Sequence, residues 1–501
     1  MGLLILLAGI AANSILKSKL ENYIAEDLPQ TISCSYTNIS VNVFNGVATL
    51  ENPLITFQNA DNQKKYSSIQ LEGIQFSGVS LWQYLFKNEI HIGKINFKKP
   101  EWTYFKNKKS ISKDTIPNKS PSIGNPIFID VLKVEKSQIT IYDAERDSTE
   151  LFAKNLALSL ENIQVDNRTL SKKIPFEYDK ISASGDSLFL KANAYDNLAV
   201  GIFSLDNGNA NFKNITYKTK YSKAQLSKII AVERDHYNLK LESVSLNQLD
   251  FGQVEDQFFF ISKEINLDRP TLFIFRDKLV NDDPTIKPLY SKMLRDLSIR
   301  LTVDSLKINN GYIEYEEKVK EENSGGAVKF KNLDAQIANV SNTYKSPVKT
   351  EINITALFME QAPISVQWNF DVQNKADKFI FKGEVGTLEA ERMNQFTEPN
   401  LKVRLEGKAN HTYFTTDGNN DTSRTDLKIK FSDFKVSILQ KDEEKKNKFL
   451  SAVVNIFISK NSDKNEDEFN EASAEATRNK TKSIFNFLWI GLKNALQKTM
   501  T

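Results

Sequence analysis

The chain has 501 residues, and 66 Lys+Arg against 63 Asp+Glu give a formal net charge of +3. No global charge therefore attracts it to nucleic acid or to an anionic surface. It has only 19 Gly and 13 Pro, which excludes the collagen-like and low-complexity classes. Hydrophobic residues make up 40% of the chain, with 32 Phe and 16 Tyr. We therefore predict a chain that is mostly folded, with an extensive buried surface.

Residue types that carry catalysis are sparse. Cys34 is the single cysteine, which excludes an intramolecular disulfide and a multi-cysteine metal site. His91, His236 and His411 have no second histidine at a zinc-binding spacing. The chain also has no GxSxG elbow, Walker loop or GxGxxG motif. We predict a protein that is not an enzyme, with no cofactor, no metal and no catalytic residues.

The N-terminal segment is apolar. Residues 1–16 carry no charged side chain, and as a helix they would reach about 24 Å against about 30 Å of hydrocarbon. Apolar residues continue at helical spacing from Leu16 to Leu28, just before Pro29. We predict a transmembrane or anchor helix over 1–28; a cleaved signal peptide and a buried helix of a soluble protein are the alternatives. The predicted anchor residues are Leu3, Leu4, Ile5, Leu6, Leu7, Ile10, Ile15 and Leu16.

The body, residues 29–459, reads as a long series of short strands. Apolar and polar residues alternate in runs separated by Asn, Asp or Gly, as in strands with one buried face. Helical periodicity is confined to 80–86, 223–230 and 288–297.

Four segments also resemble one another: 90–105, 129–142, 261–275 and 301–315. Each contains a pair typical of turns; these pairs are Lys99-Pro100, Lys136-Ser137, Arg269-Pro270 and Asn310-Gly311. A repeated hairpin unit predicts one extended sheet, and coincidental similarity between ordinary β-rich domains is the alternative.

The predicted fold class is mainly β: an elongated, curled, many-stranded antiparallel sheet in the form of a trough, with a few short helices. An apolar concave face would suit acyl chains, unless a second layer closes it into an ordinary core. The candidate lining residues are Ile139, Ile141, Ile352, Ile354, Ile364, Val366 and Trp368.

The C-terminal region divides into a polar linker, 460–482, and an amphipathic helix, 483–499. The linker has almost no large apolar residue, which favours a solvated segment. The helix places one apolar stripe between lysines, which suits a membrane interface, a lid over the end of the sheet or a partner protein. The residues of this stripe are Phe485, Leu488, Trp489, Leu492 and Leu496.

Several segments together resemble the AsmA-like family of Gram-negative envelope proteins, relatives of the bridge-like lipid-transfer proteins. The resemblance is carried by the N-terminal segment running into SYTNISVNVFNGVATLENPLITF, by 69–105 and by 287–318. A C-terminal block at 386–439, ending LKIKFSDFKVSIL, resembles the terminal block of the family.

The resemblance implies a single-pass protein of the inner membrane with its body in the periplasm. It implies that the protein binds and conducts phospholipid along an apolar β-groove, in lipid transport and outer-membrane homeostasis. Its partners would be membrane phospholipid, the inner membrane and, through the C-terminal helix, the outer membrane or envelope proteins. The alternative is a scaffold or assembly factor for outer-membrane protein biogenesis that carries no lipid.

Overall fold

The computed structural model describes residues 2–106, 122–144, 148–172, 174–254, 257–439 and 469–500. The chain is mainly β, with 57% strand and 15% helix, and its strands form a large mixed sheet. It divides into two compact units, Met1–Lys213 and Asn214–Thr501. The prediction of a β-rich chain with a few short helices is confirmed, whereas the prediction of a purely antiparallel sheet is wrong.

The first unit has two α-helices among its described residues, α1 (Gly2–Asn22) and α2 (Leu81–Lys87). A π-helical turn, Tyr23–Asp27, follows α1. The strands are β1 (Ile32–Ser35), β2 (Asn38–Asn42), β3 (Val47–Glu51), β4 (Leu54–Gln58), β5 (Lys65–Gln70), β6 (Gly73–Val79), β7 (Ile90–Lys98), β8 (Glu101–Phe105), β9 (Ile127–Tyr142), β10 (Thr149–Val165), β11 (Lys180–Gly185), β12 (Ser187–Lys191), β13 (Asp196–Val200), β14 (Ile202–Asp206) and β15 (Asn209–Thr219), which contains the boundary between the units.

The second unit has four α-helices among its described residues: α3 (Lys223–Ile229), α4 (Tyr290–Arg295), α5 (Asn394–Leu401) and α6 (Ile484–Met500). The helices α2, α3 and α4 confirm the three segments with helical periodicity, whereas α5 has no counterpart in the prediction. The strands are β16 (His236–Asn247), β17 (Asp250–Val254), β18 (Gln257–Asp268), β19 (Thr271–Asp277), β20 (Arg300–Lys318), β21 (Gly326–Ser341), β22 (Thr350–Phe358), β23 (Ala362–Phe370), β24 (Phe379–Val385), β25 (Leu388–Glu389), β26 (Val403–Gly418), β27 (Thr422–Ile438) and β28 (Asn470–Thr477).

The four similar segments pair two by two, and they pair in parallel. β7 and β8 both run parallel to β9 in the first unit. β18 and β19 both run parallel to β20 in the second. The predicted hairpins are therefore wrong: the chain does not reverse at Lys99-Pro100 or Arg269-Pro270. Alternation reports which face of a strand is buried and says nothing about the direction of its neighbour, so the pattern could not decide this point.

The predicted turn pairs are instead left-handed positions at the same level of neighbouring strands, where the pairing register of β9 and β20 shifts. Such irregularities bend a strand. Lys99, Lys136, Arg269 and Asn310 all have left-handed backbone, with φ between 46° and 53°. The Lys99 N–H donates to the Glu135 carbonyl at 2.9 Å. We call the level of Lys99 and Lys136 the bend line of the first unit. In each unit, two of the similar segments therefore run in parallel, and their left-handed residues lie at the same level.

The left-handed backbone at Lys136 predicts opposite effects for two substitutions. Lys136→Gly is expected to raise the free energy of unfolding by up to about 1 kcal/mol, because glycine adopts this backbone without a Cβ clash. Lys136→Val should lower it by about 1–2 kcal/mol. Urea unfolding measures both. Lys133 lies on the same strand without positive φ, so Lys133→Gly should instead destabilise; the same sign at both positions would contradict this account.

The C-terminal region differs from its prediction. Residues 440–468, which include the first part of the predicted linker, lie outside the described residues. The remainder of the linker contains β28, which pairs with β27. Ala474 and Ala476 alternate on its buried side. The prediction of a polar linker over 460–482 is thus wrong for 470–477. The sequence pattern did not indicate a strand there, because alanine side chains are too small to stand out as an apolar face.

Candidate functional site

The sheet of the second unit has one mainly apolar face that runs across ten strands. Paired residues of neighbouring strands point to the same side, so the register defines rows of side chains. One row contains Leu246, Ile265, Leu306, Ile337, Ile352, Trp368, Phe381, Thr416, Thr425 and Ala474. The row beside it contains Val244, Leu267, Ile308, Ala335, Ile354, Val366, Gly383, Phe414, Leu427 and Ala472.

The residues between these two rows point to the opposite face, and all of them are polar. They are Ser245, Asn266, Lys307, Gln336, Asn353, Gln367, Lys382, Thr415, Asp426 and Ser473. The second unit is therefore a two-faced sheet with one polar face and one mainly apolar face.

Helices cover one end of the apolar face. Trp368 is buried in a cluster that includes Leu289, just before α4, and Phe487 of α6. Leu427 and Ala495 belong to a second cluster under α6. The helix lies close to the sheet at Gly491. A Cβ on this residue would come within 2.5 Å of the Thr425 hydroxyl, so only glycine fits there without a shift. This end of the face is an ordinary core.

Toward the other end of the apolar face, the strands next to β16 are less buried, whereas Leu246 of β16 itself is buried. The side chains on β18 and β20 are of intermediate exposure; they are Ile265, Leu267, Leu306 and Ile308. The apolar face is thus a closed core under α6 and has half-buried side chains on β18 and β20.

The first unit has a comparable face on both sides of its bend line. One row contains Ile39, Leu50, Ile74, Phe97, Val134, Leu158, Ala183, Leu205 and Ala210. Beyond the bend line, a row contains Cys34, Ile55, Ile69, Trp102, Ile139, Ala153, Leu188 and Val200. Trp102 is 37% exposed in the middle of that row. Cys34 is half-buried, and burial raises the pKa of its thiol.

The predicted lining residues all lie on these apolar faces. Ile139 and Ile141 are half-buried on β9 of the first unit. The others are on β22 and β23 of the second unit: Ile352, Ile354, Ile364 and Val366 are half-buried, and Trp368 is buried. Trp368 is thus part of the core under α6, and Ile352 and Val366 pack against the same cluster. The sequence could not separate it from the others, because the helix that covers it is more than a hundred residues away.

The predicted stripe of α6 is divided between two environments. Leu488 is buried, and Leu492 and Leu496 pack at the partly buried edge of the cluster under the helix. Phe485 and Trp489 are exposed. Of the three alternatives for this helix, its packing fits the lid over the end of the sheet.

The predicted anchor residues fall on α1. The side chains of Leu3, Leu4, Ile5, Leu6, Leu7 and Ile10 lie outside the described residues, whereas Ile15 and Leu16 are exposed. None of the helices in the described part of the chain is long and apolar enough to cross a membrane.

No match to this chain was found among protein-family models, curated proteins or solved structures. A function therefore has to be inferred from the chain's own geometry. In the described ranges, no group of three or more His, Cys, Asp and Glu residues is placed to hold a metal ion. A cavity of about 460 Å³ at β26–β28 is lined largely by polar and charged side chains, Arg424 and Asp426 among them. The apolar faces are the candidate site.

A buried carboxylate attaches the beginning of α6 to the rest of the second unit. The Glu233 side chain is fully buried and accepts from Lys278 Nζ at 2.6 Å and from Lys482 Nζ at 3.3 Å. Lys482 also donates to Asp282 at 2.6 Å. Burial opposes ionisation of Glu233, but the two ammonium groups keep the pKa of its carboxyl below the ordinary 4.5.

This ion cluster predicts a stability that depends on pH. A depressed folded-state pKa stabilises the fold above the ordinary pKa of 4.5, and that stabilisation is lost as the pH falls through the folded-state pKa. Glu233→Gln is expected to lower the free energy of unfolding by about 1–3 kcal/mol at neutral pH. The difference from the wild type should shrink in acid, as measured by thermal unfolding across pH. Glu242→Gln, which alters the exposed pair with Arg269, is the control and should have little effect; an equal loss in both variants would argue against a special contribution of the buried carboxylate.

Proposed function

We propose that the chain binds phospholipid acyl chains along the apolar faces of its sheet and transfers lipid without covalent chemistry. The N-terminal segment would attach the protein to a membrane. In keeping with the resemblance to AsmA-like proteins, the body would lie in the periplasm and contribute to outer-membrane lipid homeostasis.

The continuity of the apolar rows carries the proposal. Removing apolar area from water favours binding by about 25 cal/mol per Å². Because the strands from β16 to β22 that the rows cross each offer an apolar side chain at the same level, an acyl chain that moves along this part of the rows exchanges one set of contacts for an equivalent set. The barrier to sliding is then low, and the step needs no nucleophile, metal or cofactor. A sheet that curls around this face would form the trough that the proposal requires.

Native mass spectrometry of the full chain, released gently from membranes, tests the proposal. We expect one or more phospholipids per chain to copurify with the folded protein, and extraction identifies their class. A folded chain that is free of lipid would contradict the proposal. Crosslinks to outer-membrane proteins in that case would favour a scaffold or assembly factor.

A further inference from the structure

We propose that one rim of the first unit docks on the surface of a phospholipid bilayer. The docking surface, which we call the rim patch, consists of Phe44 in the β2–β3 loop and Trp82, Tyr84 and Phe86 of α2. The inference rests on the membrane partner of the proposed function and adds the surface that contacts the bilayer.

The rim patch exposes four large aromatic side chains. Trp82 and Phe86 are 67% and 66% exposed, Tyr84 is 51% and Phe44 is 57% exposed. The Trp82 and Phe86 rings lie one turn apart, with their centroids at 4.0 Å. Large aromatic groups are usually buried, and an exposed cluster of them marks an interaction site. Trp and Tyr in particular are enriched where a protein meets the polar edge of a membrane.

Local sequence explains why α2 holds these side chains outward. The Ser80 hydroxyl accepts from the Gln83 N–H at 3.3 Å and caps the first turn. Asn88, with left-handed backbone, ends the helix after seven residues. The helix therefore stands as a short, capped projection between β6 and β7.

Backbone contacts hold α2, the β2–β3 loop and α1 together. The Val43 N–H donates to Asn13 Oδ1 of α1 at 2.7 Å. The Val79 N–H, directly before α2, donates to the Gly46 carbonyl at 3.2 Å. Gly46 has φ of +59°, and a Cβ there would lie 3.0 Å from the Val79 carbonyl oxygen. The rim patch is thus fixed beside the N-terminal helix.

Three lysines and two carboxylates lie close to the rim patch in the sequence. Within 2–20, 43–46 and 80–88 the charged side chains are Lys17, Lys19 and Lys87, and there is no Asp or Glu. Two carboxylates adjoin these segments: Glu21 lies 3.8 Å from Lys17 on an exposed helix surface, and Glu89 lies two residues after Lys87. Exposed aromatics with nearby lysines, beside a helix whose residues 2–16 carry no charged side chain, are the composition of an interfacial membrane contact.

Tryptophan quenching by brominated phospholipid tests the inference on the full chain. The chain has four tryptophans, so the emission of Trp82 is the difference between the wild type and Trp82→Phe. With vesicles of phosphatidylglycerol and brominated phosphatidylcholine, we expect the Trp82 emission to be quenched and shifted to the blue. A Trp82 emission that stays unquenched while the chain cosediments with the vesicles would overturn the inference and assign the rim patch to another partner.

A substitution series provides a second measurement. Trp82→Ser/Tyr84→Ser/Phe86→Ser is expected to weaken binding to these vesicles about tenfold or more, because it removes the apolar area that enters the interface. The control Val254→Ser/Phe258→Ser changes exposed apolar residues of the second unit and should bind as the wild type does. Equal binding of all three proteins would count against the rim patch.

Copurified lipid is measured separately. Lipid bound without Trp82 quenching means that only this inference fails, and quenching without bound lipid means that only the proposed function fails.

Discussion

Trp368→Ala is expected to lower the free energy of unfolding by about 3–5 kcal/mol, the range for removing a buried aromatic side chain. The Trp368 ring lies 5.3 Å from that of Tyr290, 5.6 Å from Phe381 and 6.5 Å from Phe485 of α6. Removing the indole would leave a cavity between the sheet and two helices. Urea unfolding followed by circular dichroism measures the loss.

Two further variants test whether the loss of stability in Trp368→Ala comes from the buried position of the indole. Gln367→Ala changes the neighbouring residue, which is exposed on the polar row, and should alter stability by less than about 0.5 kcal/mol. Trp368→Phe should be milder than Trp368→Ala, since Trp368 Nε1 is buried without a hydrogen-bond partner among the described residues and its loss removes an unsatisfied donor. A change below about 1 kcal/mol in Trp368→Ala would show that α6 does not close a core there.

Trp102→Asp/Leu190→Asp is expected to reduce the lipid that copurifies with the full chain about tenfold or more, because acyl chains would then have to contact two carboxylates. Trp102 is 37% exposed and Leu190 is 36% exposed. Both lie on the apolar face of the first unit, Trp102 paired with Ile139 and Leu190 with Leu151. Native mass spectrometry with lipid extraction measures the effect.

The control for this pair places two aspartates on the opposite face. Ser33 lies beside Cys34 and Thr103 beside Trp102, and both point away from the apolar row. Ser33→Asp/Thr103→Asp should retain the wild-type amount of lipid, and circular dichroism should show both double variants folded. Trp102→Asp removes a hydrogen bond from Trp102 Nε1 to Ser67 Oγ of 2.8 Å, so folding has to be checked. If the two folded variants carry equal lipid, the apolar face is not the binding surface.

Prediction from the sequence succeeded where the signal is local. On β22, Ile352 and Ile354 share one face while Glu351 and Asn353 are exposed on the other, as alternation indicates. Helix α3 has a full capping box between Ser222 and Gln225, which fits the predicted start of helical periodicity at 223. The prediction failed at β28, where small alanines form the buried side of an edge region otherwise rich in polar residues.

By itself, the sequence determined the strand content, the polar and apolar face of most strands, and the short helices α2, α3 and α4. These features depend on neighbouring residues along the chain. Only the tertiary structure decided that the similar segments pair in parallel, which side chains line up in rows, and that α6 covers Trp368. The physical reason is that a strand shifted by two residues keeps the same face toward the core, so many pairings satisfy one alternating pattern. Contacts between residues far apart in the chain select one of them.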